Sequence, residues 1–240
     1  MSHILIMLAL IFPGQPAADT FETDTFQTDK GNLTITFIGH GTLMMEWNGK
    51  VIHIDPVSRE ADYNNLPKAD LILVTHEHGD HLDPATIALL RKPDTKVIVS
   101  KSCEGKVPDE TILLNGQNAT VDGIKSEAMP AYNLVHKRPN GEPFHPKGNG
   151  NGYVLTMGGK HIYIAGDTEN IPEMKNLKNI DIAFLPMNLP YTMTPEQTAE
   201  AARSFMPKIL YPYHFGQTDP QQLVKLLKDT SIDVRVRKME

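Results

Sequence analysis

The sequence has a single cysteine among its 240 residues, at position 103. One cysteine cannot form an intramolecular disulfide, and it leaves no cysteine cluster for a structural zinc site. Because a free cysteine behaves as a small apolar residue, we expect Cys103 to lie in the core. The chain also lacks low-complexity segments and linkers. Its composition, 40% hydrophobic and 22% charged, is typical of one folded domain.

The sequence also lacks a long basic run, and its formal net charge is -6. A chain of this charge repels the phosphate backbone, so we expect no nucleic-acid partner. The unbroken apolar run at residues 4–12 is too short to cross a bilayer, so we expect no stable membrane insertion. With nucleic acid and membrane insertion not expected, we predict that the partner is a small-molecule substrate.

The same apolar run is followed by a proline, a glycine and two alanines, a pattern typical of a secretory signal peptide. We therefore predict that residues 1–18 are a signal peptide and that the mature protein is periplasmic or secreted. Residues 19–32 are then predicted to be a flexible lead-in, and residues 33–240 the folded domain. No lysine or arginine precedes Lys30, so a cytoplasmic protein with an apolar N-terminal strand or tail is the alternative.

Residues 75–81 read Thr-His-Glu-His-Gly-Asp-His and are the most informative part of the sequence. Imidazole and carboxylate are ligands for divalent metals such as zinc, iron or manganese. The apolar run before them is typical of a buried strand. In extended backbone, side chains two apart point the same way, so His76 and His78 can bind one ion. The turn that follows would direct Asp80 and His81 towards a second ion.

Three further motifs occur in a fixed order around this heptad. Asp55 ends a strand-like segment, Asp167 lies in Gly-Asp-Thr after another, and His214 follows Tyr213 after a third. With the pattern His-x-His-x-Asp-His, these motifs make the sequence resemble the metallo-β-lactamase superfamily from about Leu33 to its end. Within that superfamily it looks most like the branch that holds ascorbate-6-phosphate lactonase and the N-acylphosphatidylethanolamine phospholipase D enzymes.

The resemblance implies an α/β fold, the four-layer αβ/βα sandwich of that superfamily. The chain itself shows two matching halves: Asn48-Gly49 and Gly158-Gly159 each separate two strand-like segments, and both pairs are typical of hairpin turns. Helices are predicted after Asp83, after Thr194 with its capping box, and over residues 220–228, before a last strand. Two facing sheets with helices outside would satisfy this pattern.

The resemblance also implies two metal ions, with zinc expected first and manganese or iron as alternatives. The first site would comprise His76, His78 and His145, the second Asp80, His81 and His214, and Asp167 would bridge them.

The ligand of the third motif is the open point. The branch usually supplies it from Pro-x-x-His, but this chain has Asn133 there, and an amide is a poor zinc ligand. We favour His145, in a segment made rigid by two prolines. The alternatives are His136, or three protein ligands completed by water.

These residues predict hydrolysis of an ester, lactone or phosphodiester bond by a metal-bridging hydroxide. Asp80 would accept a proton, and Asp55 would orient a ligand histidine. His40 would contact the substrate or donate a proton, with a packed loop histidine as its alternative role, and Tyr191 would hydrogen-bond the leaving group. Residues 33–240 would thus form a metallo-hydrolase domain.

Two related activities are not expected. True β-lactamases of the superfamily lack the bridging aspartate, and flavodiiron oxidoreductases carry glutamate where this chain has His78. The alternative from another class is a non-catalytic metal-binding or sensor protein. The loop 137–151 carries Lys137, Arg138 and Lys147, which would favour an anionic substrate.

Overall fold

A computed structural model describes residues 21–240, which form two seven-stranded sheets. The strands of the first sheet are β1 (Glu22–Thr28), β2 (Gly31–Gly39), β3 (Thr42–Trp47), β4 (Lys50–Ile54), β5 (Leu71–Val74), β6 (Lys96–Val99) and β7 (Glu110–Ile112). Those of the second are β8 (Asn118–Val121), β9 (Ile124–Ala131), β10 (Gly150–Met157), β11 (Lys160–Ile164), β12 (Ile182–Pro186), β13 (Ile209–Tyr213) and β14 (Asp233–Val234). The predicted signal peptide, residues 1–18, lies outside the described residues and stays a prediction.

The two sheets repeat one pattern. In the first, β1 to β4 are antiparallel and β5 to β7 continue the sheet in parallel. In the second, β8 to β11 are antiparallel and β12 to β14 continue in parallel. The carboxyl ends of parallel neighbours meet at one edge, where open α/β sheets bind their ligands. The matching halves predicted from the two hairpins are confirmed.

Both hairpin turns have the left-handed backbone that their sequences predict. The φ angles are 51° at Asn48 and 72° at Gly49, and 53° and 76° at Gly158 and Gly159. Two central residues with positive φ fit a two-residue turn whose twist matches that of the flanking strands. The turn residues therefore fix the register of β3 with β4 and of β10 with β11.

Three α-helices occur in the described chain: α1 (Pro84–Leu90), α2 (Pro195–Phe205) and α3 (Gln221–Leu227). The predicted capping box is present, because the Thr194 hydroxyl accepts from the Gln197 amide and the Gln197 side chain accepts from the Thr194 amide. Short 3₁₀ turns cover Tyr63–Asn65, Lys101–Cys103 and Pro172–Asn176. Among residues 21–240, no helix is both long and apolar enough to cross a membrane.

Alternation along β5 divides the apolar core. Leu71 and Leu73 join the large cluster between the sheets, whereas Ile72 and Val74 pack with α1 in a smaller cluster. Cys103 belongs to the smaller cluster and is buried, as predicted. On the other side, α2 and α3 cover the second sheet and contribute side chains to the large cluster. Two sheets between outer helices form the four-layer sandwich that was predicted.

The prediction of a flexible lead-in over residues 19–32 is wrong where the structure describes it. Strand β1 pairs with β2 along its whole length, from Glu22 opposite Phe37 to Thr28 opposite Gly31. Its Asp24 carboxylate pairs with Arg237, from the far end of the chain, at 2.7 Å. Because β1 lies at the edge of the sheet and alternates exposed with half-buried side chains, it has no apolar run, and its sequence resembles a polar tail.

Asp83 provides a test of the α1 cap. Its carboxylate accepts from the backbone amides of Ala85 and Thr86 and from the Ser58 amide. Burial acts to raise the pKa of Asp83, but hydrogen bonds from Ser58 and Thr86 lower it to about 2. Because the folded pKa is below the unfolded value of 3.8, the stabilisation is present above pH 3.8 and is lost as the pH falls towards 2.

We expect Asp83→Ala to lower the free energy of unfolding by about 1 to 2 kcal/mol at pH 7, measured by urea denaturation. The difference should shrink as the pH falls below 3.8. Asp94, an exposed aspartate in a turn, offers a control, and Asp94→Ala should change stability by less than about 0.5 kcal/mol. Equal losses in the two variants would contradict the capping role.

Candidate metal centre

The predicted metal ligands converge because they follow strand ends at one edge of the sandwich. His76 lies just after β5, Asp167 just after β11 and His214 directly after β13. His145 comes from the loop between β9 and β10. Four separate segments therefore bring nitrogen and oxygen donors to one place, although they are far apart in the chain.

The first ligand group, called site 1, consists of His76, His78, His145 and Asp167, and its donor atoms lie within 4.8 Å of one another. His76 Nε2 is 3.0 Å from His78 Nδ1, and His145 Nε2 is 3.2 Å from Asp167 Oδ2. All but His78 are buried. Three imidazoles and one carboxylate are a donor set that suits a tetrahedral divalent ion.

The second group, called site 2, consists of His40, Asp80, His81 and His214, again within 4.8 Å. Asp80 Oδ2 is 3.4 Å from His40 Nε2 and 3.7 Å from His214 Nε2. The His40 and His214 rings are 3.8 Å apart. Sequence reasoning placed Asp80, His81 and His214 here but gave His40 no place among the donors, which the structure adds.

Asp167 adjoins both groups. Its carboxylate lies 3.2 Å from His145 Nε2 in site 1, and 3.4 and 3.5 Å from the Nε2 atoms of His214 and His81 in site 2. Buried atoms at this junction have no hydrogen-bond partner, among them Asp167 Oδ1 and the Nε2 atoms of His81 and His214. Unpaired buried donors and acceptors are costly, and a cation shared between them would satisfy them. The residues therefore fit two metal ions bridged by Asp167.

The charge states of the cluster also suit cations. Burial would raise the pKa of Asp167, but His214, His81 and His145 hold that pKa well below its usual range. Burial and then the neighbouring His81 hold the pKa of His76 well below its usual value. Burial and His145 likewise lower the pKa of His78. Ionised carboxylate and neutral imidazole are the forms in which these side chains bind metals.

His81 is held in place by Asp55. Asp55 accepts from the Thr75 amide at 2.7 Å and from the Thr75 hydroxyl at 2.6 Å, and its Oδ2 lies 2.7 Å from His81 Nδ1. A proton on Nδ1 leaves the Nε2 lone pair directed at the centre. Burial would lower the pKa of His81, but the carboxylates of Asp167 and Asp55 raise it to about 9, so a metal ion bound here would displace a proton from Nε2.

Three residues of the centre have left-handed backbone at a strand end. The φ angles are 49° at His40, 47° at Asp55 and 47° at His214. This conformation is strained for residues other than glycine and is concentrated at functional sites. Gly41 allows the close approach beside them, because a Cβ atom there would lie 2.8 Å from His81 Cε1.

A cleft of about 470 Å³ opens beside the two sites. The predicted Tyr191 lines it, 45% exposed, with its ring 5.1 Å from the ring of Phe144. Two arginines, Arg59 and Arg138, line it as well, together with Asn188. The cleft gives a small molecule access to both sites.

The basic loop residues differ in their placement. Arg138 Nη2 is 3.3 Å from His78 Nε2, and the guanidinium lies 5.2 Å from the centre of the Phe144 ring. Lys147 turns away and pairs with Glu173 at 2.8 Å, and Lys137 does not line the cleft. Sequence reasoning missed Arg59, since a single arginine in an irregular loop carries no local signal.

The structure places His145 rather than His136 at the centre. His136 Nδ1 lies 2.9 Å from Glu169 Oε1 and belongs to neither ligand group. Asn133, at the position where the branch has its histidine, accepts from His145 instead. This contact and the role of Glu169 were not predicted, because sequence spacing does not show which loop residues hydrogen-bond one another.

Known proteins resemble this chain in sequence and in fold. Residues 34–214 match a family model described as "Beta-lactamase superfamily domain". A UPF0173 metal-dependent hydrolase of Thermococcus kodakarensis is 32% identical over 215 residues, covering 82% of this chain and 93% of the relative.

Two solved structures share the fold. One, a candidate metal-dependent hydrolase from Parabacteroides distasonis, is 52% identical with a TM-score of 0.88, covering 92% of this chain and 100% of that one. The other, Igni18, a metallo hydrolase from Ignicoccus hospitalis, is 27% identical with a TM-score of 0.69, covering 87% and 96%. The predicted sandwich is thereby confirmed.

We expect the protein purified without added metal to contain about two equivalents of a divalent ion, measured by elemental mass spectrometry. His145→Ala should retain about one equivalent, because site 1 loses a donor while site 2 keeps its own. His136→Ala is the matched control and should retain two. Two equivalents in His145→Ala, or one in His136→Ala, would show that the ligand of the third motif is assigned wrongly.

Proposed function

The chain belongs to the beta-lactamase superfamily, and from this premise we propose that it is a metal-dependent hydrolase with a dinuclear centre. The position of Asp167 carries the proposal, because its carboxylate adjoins imidazole nitrogens of both ligand groups. The relative from Thermococcus kodakarensis is itself described as a metal-dependent hydrolase. The donors suit zinc, with manganese or iron as alternatives.

Two bound ions would lower the pKa of a bridging water so that hydroxide forms near neutral pH, and would polarise the bond that it attacks. The chain must then hold its ligands rigidly and place the substrate. The contacts of Asp55 with Thr75 and His81 hold a ligand rigidly. The cleft places the substrate, and we propose that the enzyme hydrolyses an ester, lactone or phosphodiester bond there.

His40 is assigned to proton donation. Asp80, His81 and His214, together with the adjoining Asp167, would offer site 2 four protein donors, so an ion there does not need His40 as a ligand although His40 lies within reach. His40 lines the cleft and reaches Asp80 with Nε2, while its Nδ1 lies 3.2 Å from the main-chain oxygen of Glu240. A proton on Nε2, for which the described residues offer no hydrogen-bond partner, would be available to a leaving group in the cleft.

We propose that Asp80 acts mainly as a metal ligand rather than as a proton acceptor. Burial acts to raise its pKa, but the neighbouring imidazoles of His214, His40 and His81 lower that pKa below its usual range. A carboxyl of this acidity is ionised at neutral pH and is a weak base, so binding a cation suits it better than accepting a proton. Tyr191, exposed in the cleft, is placed to hydrogen-bond a leaving group.

The cleft favours a substrate with an anionic group. Among the described residues, no carboxylate pairs with Arg138, whose guanidinium contacts the Phe144 ring and carbonyl beside site 1. Arg59 also lines the cleft, with Nη2 4.0 Å from Asp80 Oδ2. A guanidinium without an acidic partner binds carboxylate or phosphate through paired hydrogen bonds. We therefore propose that Arg138 binds this anionic group.

The function is tested by removing the metal and screening for hydrolysis. Carboxylic ester, lactone and phosphodiester reporters should reveal activity that a chelator abolishes and a stoichiometric addition of metal restores. If the protein binds metal but hydrolyses none of the reporters, the non-catalytic alternative would be favoured. Activity that survives complete metal removal would refute the proposed chemistry.

We expect His40→Gln to keep two metal equivalents and to lower kcat by about 10² to 10⁴, the usual contribution of a general acid. Metal content by elemental mass spectrometry and steady-state kinetics measure the two effects. Loss of one equivalent in His40→Gln would instead make His40 a ligand of site 2.

We expect Arg138→Gln to raise KM for an anionic reporter by about tenfold and to leave KM for an uncharged analogue within about twofold. Lys137→Gln is the matched control: it removes the same charge from the adjacent position, outside the cleft. An equal effect of Arg138→Gln on both reporters would contradict recognition of the charge.

A further inference from the structure

Asn133 and Glu169 form a buried hydrogen-bonded pair behind site 1. Their relative exposures are 7% and 1%. We propose that Asn133, held by Glu169, is a positioning residue that fixes the ring orientation and the proton of His145 and thereby sets the metal affinity of site 1. This inference rests on the proposed metal site, because it assigns a role towards the ion that His145 would bind.

The side chain of Asn133 has a partner for each of its hydrogen-bonding directions. Its Oδ1 lies 2.7 Å from His145 Nδ1 and accepts from the His145 amide at 2.8 Å. Its Nδ2 donates to Glu169 Oε1 at 3.0 Å and to the Tyr191 carbonyl at 2.9 Å. The backbone adds one more bond, from the Asn133 amide to the His145 carbonyl at 2.9 Å.

These partners determine the orientation of the amide. Both neighbours of Nδ2 are acceptors without a proton, and the His145 amide facing Oδ1 is a donor. A flipped amide would set oxygen against oxygen twice and nitrogen against the His145 amide. Since Oδ1 can only accept, His145 Nδ1 must carry a proton, which leaves Nε2 as the ring nitrogen that can bind a metal ion.

His145 Nε2 faces Asp167 Oδ2 at 3.2 Å. A lone pair and a carboxylate oxygen repel each other at that distance unless a proton or a metal ion lies between them. Asn133 places the ring proton on the far side, so a metal ion satisfies the pair without protonating the ring. The side chain that stands where the branch has its ligand thus orients the ligand 12 residues later.

Glu169 holds the backbone of this arrangement as well as the Asn133 amide. Its carboxylate accepts from three consecutive amides, those of Leu134, Val135 and His136, at 3.0, 2.8 and 2.6 Å. Glu169 follows the bridging Asp167 by two residues. One short segment therefore supplies the ligand between the sites and anchors the loop that carries Asn133.

The first test uses the wild-type protein. Two-dimensional NMR of metal-free protein labelled with ¹⁵N-histidine reports the tautomer of each ring, and His145→Gln identifies the His145 signals. We expect His145 to carry its proton on Nδ1. A proton on Nε2 alone, with Nδ1 bare, would overturn the proposal whether or not the protein turns out to be a hydrolase.

The second test measures metal affinity by competition with a chromophoric chelator, without any assay of hydrolysis. Asn133→Leu keeps the volume of the side chain but removes the acceptor, and we expect it to weaken binding of one of two metal equivalents by about 10- to 100-fold.

Asn151→Leu separates positioning from packing. Asn151 is a buried asparagine that donates to the Leu113 carbonyl and accepts from Asn115, and its side chain forms none of its hydrogen bonds with a ligand histidine. We expect both leucine variants to lose thermal stability, and only Asn133→Leu to lose metal affinity. Equal affinity losses in the two, or wild-type affinity in Asn133→Leu, would refute the positioning role. Failure of the wild-type protein to bind metal would refute the proposed function separately.

Discussion

The buried carboxylate of Asp167 is the constraint on which the rest of the centre depends. It is 4% exposed and lies among imidazoles from three separate segments. A carboxylate so far from water is stable only beside positive charge. Histidine protons can supply that charge in part, and two divalent ions would supply all of it while satisfying the nitrogens that otherwise have no partner. The cluster therefore suits bound cations, and without them its buried charge and unpaired nitrogens are energetically unfavourable.

The duplicated sheets explain how such a cluster can form. Each half carries parallel strands whose carboxyl ends point to the same edge, and Asp55 follows β4 directly while Asp167 lies three residues after the end of β11. Facing the two halves across one core brings these ends together. The two aspartates have different roles: Asp55 holds a histidine, and Asp167 lies between the sites. Left-handed backbone at His40, Asp55 and His214 turns each chain sharply at its strand end.

Local chemistry determined which features the sequence could predict. The heptad, the glycine turns and the cap of α2 depend on residues a few positions apart, and they were predicted with the correct bounds or nearly so. Strand β1 was missed because its polar sequence does not show its pairing with β2, and the position of Arg59 at the cleft has no local signal. The sequence showed that Asn133 is a poor ligand, yet only the folded loop shows that its amide faces His145. The sequence therefore predicted the candidate ligands more fully than the residues that hold them in place.

The groups behind the ligands make the two sites chemically unequal. His81 in site 2 is backed by the Asp55 carboxylate, whereas His145 in site 1 is backed by a neutral amide. A carboxylate partner makes an imidazole more electron-rich than an amide does, because the ring proton is partly drawn towards a full negative charge. His81 in site 2 is therefore expected to be a stronger donor than His145 in site 1. Arg138, the proposed anion-binding residue, lies on the side of site 1.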